Sequence, residues 1–174
     1  MVAPTCSGKP AVNQAGEVVQ PVVGAIPLLP HYWSEPQPQH RLTKNFGGQI
    51  NLTGYDGPST GAVVKAGDQI PITLYWEPLT VPGQNLTLFI HLIDPTTQTQ
   101  LVGFDGPPDF PTTFWQPGYQ ITDLRQLSFP ADLPSGTYEL RLGWYNPTTL
   151  ARLPLTGENI NPDYLTLLTV NIAP

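Results

Sequence analysis

Residues able to do chemistry are sparse in this chain, and the most suggestive ones gather around a Pro-rich stretch, Gly106 to Gly118. Asp105 and Asp109 lie at its start, and its second half reads Pro111-Thr112-Thr113-Phe114-Trp115-Gln116-Pro117-Gly118. Two carboxylates placed on either side of a sugar can hydrolyse a glycosidic bond. Asp105 or Asp109, with Asp94, Asp123 or Glu77 as second acid, is the pair this chain offers. Thirteen acids scattered through the sequence always yield some such pair, so the pairing alone does not define an enzyme. A flat aromatic face beside amide or carboxylate groups suits a different task, holding a pyranose ring without cleaving it. Trp115, Phe114 and Gln116, with Asp105, Asp109 and His91 nearby, are the candidate ligand-binding residues, because their loop is stiff and long enough to carry function. The competing expectation is structural: Phe114 or Trp115 folds back as a plug, since Trp is usually mostly buried.

His91 falls inside an apolar segment, on its less aliphatic face, which suits a half-buried histidine with a hydrogen-bond partner as well as a site residue. His31 and His40 are remote in sequence, and no two histidines stand at metal-ligand spacing. No D-x-D-x-D loop for calcium is present. Neither a G-x-S-x-G elbow, H-E-x-x-H, a P-loop nor G-x-G-x-x-G occurs. Gly57-Pro58-Ser59-Thr60-Gly61 has a superficial likeness to a nucleophile turn, but no helix follows it, and it reads as a hairpin loop. No catalytic residue, metal or cofactor is assigned.

Charge excludes further classes. Seven Lys and Arg against thirteen Asp and Glu give a net charge of −6, with no basic stripe for nucleic acid or for a membrane surface. The single cysteine, Cys6, rules out an internal disulfide framework and a thiolate metal cluster. Met1 to Lys9 does not read as a signal peptide. The longest apolar run, Val18 to Pro30, is broken by Pro21 and Pro27 and falls short of the roughly 20 residues that span a membrane. The chain reads as soluble, and as a piece of something larger.

These residues must be positioned by strands. Pro (22) and Gly (16) interrupt nearly every window in which a helix would form. Residues 1–44 read as a Pro-rich extended tail or spacer, with Val18 to Val23 as a candidate edge strand and Ser34 to His40 solvated. Residues 45–174 alternate. Strands are expected at Gln49–Tyr55, Asp68–Trp76, Asn85–Ile93, Gln100–Asp105, Ile121–Phe129, Tyr138–Tyr145 and Tyr164–Ile172, with Asn85–Ile93 apolar on both sides and therefore central. Trp76 and Trp144 share parity with Leu74 and Leu142, which places them in the core. Seven or eight strands at this spacing predict a two-sheet antiparallel β-sandwich, immunoglobulin-like or related, with a jelly roll as the alternative.

Several short segments carry a resemblance: Asn45-Phe46-Gly47-Gly48-Gln49-Ile50 to Gly54-Tyr55-Asp56, Leu74-Tyr75-Trp76, His91-Leu92-Ile93-Asp94, Asp105-Gly106-Pro107-Pro108, Trp115-Gln116-Pro117-Gly118 and Ala131-Asp132-Leu133-Pro134-Ser135-Gly136-Thr137-Tyr138. Over residues 45–172 the chain resembles the soluble β-domain appended to bacterial membrane proteins of the family 39 glycosyltransferase type, whose relatives move mannose from a lipid phosphate. That resemblance implies an extracytoplasmic placement in a bacterial cell envelope, tethered or free. It carries over no catalytic residue, because the transferase chemistry lies in a membrane portion this chain does not contain. The expected function is a non-catalytic accessory module that binds glycan or acts as a spacer or scaffold. A glycoside-acting hydrolase and a protein–protein interaction module for a cell-envelope partner are the alternatives.

Overall fold

The computed structural model describes residues 36–156 and 163–173. The expected edge strand at Val18 to Val23, with most of the expected spacer, lies outside the described residues. Ten strands follow one another: β1 (His40–Phe46), β2 (Ile50–Asp56), β3 (Ala62–Lys65), β4 (Gln69–Pro78), β5 (Thr87–Ile93), β6 (Gln100–Gly103), β7 (Ile121–Ser128), β8 (Gly136–Tyr145), β9 (Leu155–Thr156) and β10 (Leu165–Ala173). They form two five-stranded sheets, ordered β7-β4-β2-β1-β9 and β3-β10-β8-β5-β6. β2 and β8 are the middle strands, β5 pairs antiparallel with β8 over its whole length, and β3 pairs parallel with β10. This strand order is that of an immunoglobulin-like sandwich rather than a jelly roll, with β2, β4 and β7 in one layer facing β5, β8 and β10 in the other.

Alternation explains which side chains meet between the layers. β4 directs Ile72, Leu74 and Trp76 inward, and β8 directs Tyr138, Leu140, Leu142 and Trp144 inward to meet them. The indoles of Trp76 and Trp144 touch across the gap edge to face, 5.0 Å between centroids, and Phe46 from β1 leans on Trp76 at 6.0 Å. All three are fully buried. Among the described residues the Nε1 donor of Trp144 has no hydrogen-bond partner, a cost of about 1–3 kcal/mol, whereas that of Trp76 faces the carboxylate of Asp123 on β7. The large apolar area of the two rings offsets it.

The corner before β8 is fixed by a tyrosine. Tyr138 Oη donates to the Pro134 carbonyl at 3.0 Å, folding Ala131 to Thr137 back on the strand it introduces. Immunoglobulin-like domains use this arrangement at the same place.

Three strands depart from the sequence expectation. β1 opens at His40, five residues before the expected boundary, because the ring of His40 stacks on Tyr55 at 4.5 Å and the Gln39 amide donates to Asp56 at 2.7 Å. The Ser34 to His40 run is thus not wholly solvated. Gly57 to Gly61 is not a hairpin loop: it carries the chain from β2 in one sheet to β3 in the other, turning at Gly61 with φ +80°. The two-residue β9 escapes alternation because it is too short to show any.

Replacing Tyr138 with Phe removes one buried hydrogen bond, so denaturant titration is expected to show a loss of about 1 kcal/mol. Trp144→Ala, which empties the contact between the sheets, is expected to cost about 3–5 kcal/mol.

Candidate functional site

Trp115 is not a platform for a ligand. It is fully buried, its ring meets Trp144 edge to face at 5.7 Å, and its Nε1 donates to the Phe110 carbonyl at 2.8 Å. A single 3-10 turn, Thr112–Phe114, swings it inward. The plug reading therefore holds for Trp115, and its faces are closed to a sugar. Phe114 has the opposite fate: it is 61% exposed and stacks on Phe110 at 6.1 Å. Gln116 is exposed on the same loop.

His91 and Asp105 do come together. After β6 the chain keeps following β5, with Phe104 N–H donating to Ile90 O and Gly106 exchanging hydrogen bonds with Leu88. That continuation puts Asp105 on the outward face of the second sheet, where its Oδ1 lies 2.9 Å from His91 Nε2. Phe89 and His91 alternate outward on β5 while Leu88, Ile90 and Leu92 fill the core. Phe89 lies flat across Gly143 of β8. A Cβ at Gly143 would come within 2.5 Å of that ring and 2.9 Å of the Asp163 carbonyl, so only glycine fits.

Two guanidinium groups complete this face. Arg152 covers the Phe89 ring at 4.3 Å from its centroid and reaches Asp163 at 3.3 Å. Arg141 covers Tyr164 at 4.4 Å, pairs with Glu139 at 2.7 Å and donates to Gln98 Oε1 at 2.9 Å. Between them opens a shallow recess of about 310 Å³, edged also by Gln100. Planar amides, guanidinium planes, a carboxylate and an imidazole face it, a set rich in donors and acceptors. None of Gln98, Arg141, Arg152 and Tyr164 stood out in the sequence. The register of β8 with β5 places Arg141 opposite His91, and contacts from the connecting segments bring Gln98, Tyr164 and Arg152 beside it.

The remaining acids go to different partners. Asp123 on β7 points inward and is held by Arg125, at 2.8 and 2.9 Å. The same guanidinium donates to the carbonyls of Gly106 and Pro107, tying the Pro-rich excursion to the sheet edge. Burial raises the pKa of Asp123 against the pull of Arg125, and the nearby charge of Asp109 adds to the rise. Asp109 thus acts on Asp123, whereas Asp105 bonds to His91. Among the described residues, no group of three or more His, Cys, Asp or Glu is arranged to hold a metal ion, and no helix is long and apolar enough to cross a membrane.

No family model and no curated protein matches the chain. Among solved structures it is similar to a Niemann-Pick type C2 protein from the Japanese carpenter ant, with TM-score 0.44 and 9% identity over 80% of this chain and 100% of that one. It is also similar to a CARDB domain from Pyrococcus furiosus solved with di-metal ions, with TM-score 0.38 and 10% identity over 81% and 98%. A β-glucosidase from Listeria innocua in complex with glucose gives TM-score 0.38 and 10% identity, over 75% of this chain and 16% of that one. Likenesses this distant carry no functional argument.

Burial lowers the pKa of His91 below its ordinary 6.5; Asp105 pulls it up and Arg152 pushes it down. Below pH 6.5 the unfolded chain takes a proton that the folded imidazole refuses. The contribution of His91 to stability is thus complete above that pH and is lost as pH falls toward the folded value. An NMR titration of the His91 ring should give a midpoint below 6.5, moving lower still in Asp105→Asn. A midpoint above 6.5 would show that the carboxylate outweighs burial.

Proposed function

We propose that this chain is a non-catalytic accessory domain of a bacterial cell-envelope protein, and that the outer face of its second sheet binds a glycan. The carrying observation is the recess in which Arg141 and Arg152 lie over Tyr164 and Phe89 beside Gln98 and Gln100. Hydroxyl-rich ligands are recognised by convergent planar donors and acceptors presented on a rigid sheet. The recess is open and polar rather than deep and apolar, which favours one face of an extended chain of sugars over a small molecule enclosed on all sides.

Extracytoplasmic placement and association with a membrane glycosyltransferase rest on the family 39 resemblance. Its segments include the β1–β2 turn, the core Trp76, the Trp115 plug, the Tyr138 corner and the Asp105 continuation of β6, together with His91 and Ile93, which also edge the recess. Most of them maintain the fold, which supports a shared domain type; His91 and Ile93 alone among them line the recess where the ligand would bind.

Affinity electrophoresis against a panel of neutral and acidic polysaccharides tests the binding. Retardation by at least one of them, much reduced in Arg141→Ala combined with Tyr164→Ala, is the expected result. No retardation by any polysaccharide, or retardation indifferent to those substitutions, would leave the spacer or scaffold role. Membrane helices within the same full reading frame are the expected sign of the tether.

A further inference from the structure

We infer that the end of the sandwich formed by the β4–β5, β6–β7 and β8–β9 connections docks on the interfacial layer of an uncharged lipid bilayer. Three observations on these loops carry the inference independently of the glycan recess. The first is composition: residues 79–86, 110–120 and 146–151 contain no Asp, Glu, Lys, Arg or His, and they meet at one end of a chain whose net charge is −6. The second is exposure. Leu79, Val81, Phe110, Phe114, Tyr119 and Leu150 all lie open on these loops, with Phe114 at 61% and Leu150 at 71%. Six large apolar side chains on adjacent loops are far from the single scattered ones that any surface shows.

The third observation is bracing. Thr112, fully buried, accepts from the Leu86 amide and donates to the Gln84 carbonyl, both at 2.9 Å. Asn85 Oδ1 accepts from Thr113 Oγ1 at 2.8 Å, and Asn146 Nδ2 donates to Gln84 Oε1 at 2.5 Å. The three loops are thus locked to one another while these six apolar side chains are held outward and Leu86, Leu153 and Trp115 are drawn in. None of the six tips lines the recess beside Arg141 or the one edged by Pro38, Arg41, Thr53 and Glu77. A deformable partner that accepts scattered apolar tips and asks for no charge is the boundary between headgroups and acyl chains, where Phe, Leu and Tyr are at home. The apolar tips themselves carry no Lys or Arg. The charged residues of these connections, Asp105, Asp109 and Arg152, flank them and include two acids. With the negative charge of the whole chain, this sets the lipid preference toward zwitterionic headgroups.

Flotation of the full chain with phosphatidylcholine vesicles tests this. Binding is expected, unchanged between about 0.05 and 0.5 M NaCl because no ion pair is involved, and weaker on vesicles containing phosphatidylglycerol. Phe114→Ser combined with Leu150→Ser should lower the bound-to-free ratio about tenfold or more through lost apolar contact, with an unchanged circular dichroism melt. Val63→Ser, which removes an equally exposed apolar residue on β3 at 72%, should bind as the parent does. Absence of flotation, binding that salt abolishes, or an equal loss in Val63→Ser overturns the proposal. So does a dimer in sedimentation that Phe114→Ser dissolves, because a second copy would then cover these loops.

Discussion

The edge-to-face contact between Trp76 and Trp144 is the join on which the rest of this domain is hung. It connects the two sheets where antibody domains use a disulfide between the equivalent layers, a device that a chain with one cysteine lacks. Trp115 then packs against Trp144 from outside the sheets. A loop that would otherwise be free is thereby nailed to the core. Through Thr112 the β4–β5 loop is nailed to it in turn. One aromatic cluster thus sets sheet spacing and the shape of one end of the molecule together.

The two faces of the second sheet show how the same strands serve packing and recognition. Inward positions on β5 and β8 are large and apolar, and outward ones alternate with them to present His91, Arg141 and the Phe89 ring. Gly143 is the exception that permits this, a missing side chain in a central strand that lets an aromatic ring lie flat and an arginine lie over it. The cationic groups there are each engaged by an acid, Arg141 by Glu139 and Arg152 by Asp163. The face is accordingly rich in directed hydrogen bonds without carrying a net field of one sign.

Period-two alternation makes the sandwich legible in the sequence, and it alone puts Trp76 and Trp144 on the inward faces of their strands. It also marks β5 as a strand flanked on both sides, which it is, between β8 and β6, although β8 and not β5 is the middle strand of its sheet. What alternation cannot carry is pairing. β3 was hidden because four residues between two turns, Ala62 to Lys65, hold too few alternations to register. The recess was hidden for a related reason: Arg141, Arg152 and Tyr164 are far apart in sequence, and only strand register and a cation–π contact gather them. Trp115 was misleading as a site residue. Its Pro-flanked loop had the composition of a recognition segment, while the partner that draws it in, Trp144, lies on a distant strand.

The parallel pairing of β3 with β10 has a mechanical meaning. Val170 to Ala173 run beside Ala62 to Lys65 in the same direction. Tension along the polypeptide loads these backbone bonds side by side, in shear, whereas the antiparallel hairpin of β1 and β2 opens one pair at a time. A domain that stands between an anchor and whatever it holds would yield its outer strands first and then resist at this pairing, with a lifetime under load set by the unfolding rate and not by equilibrium stability.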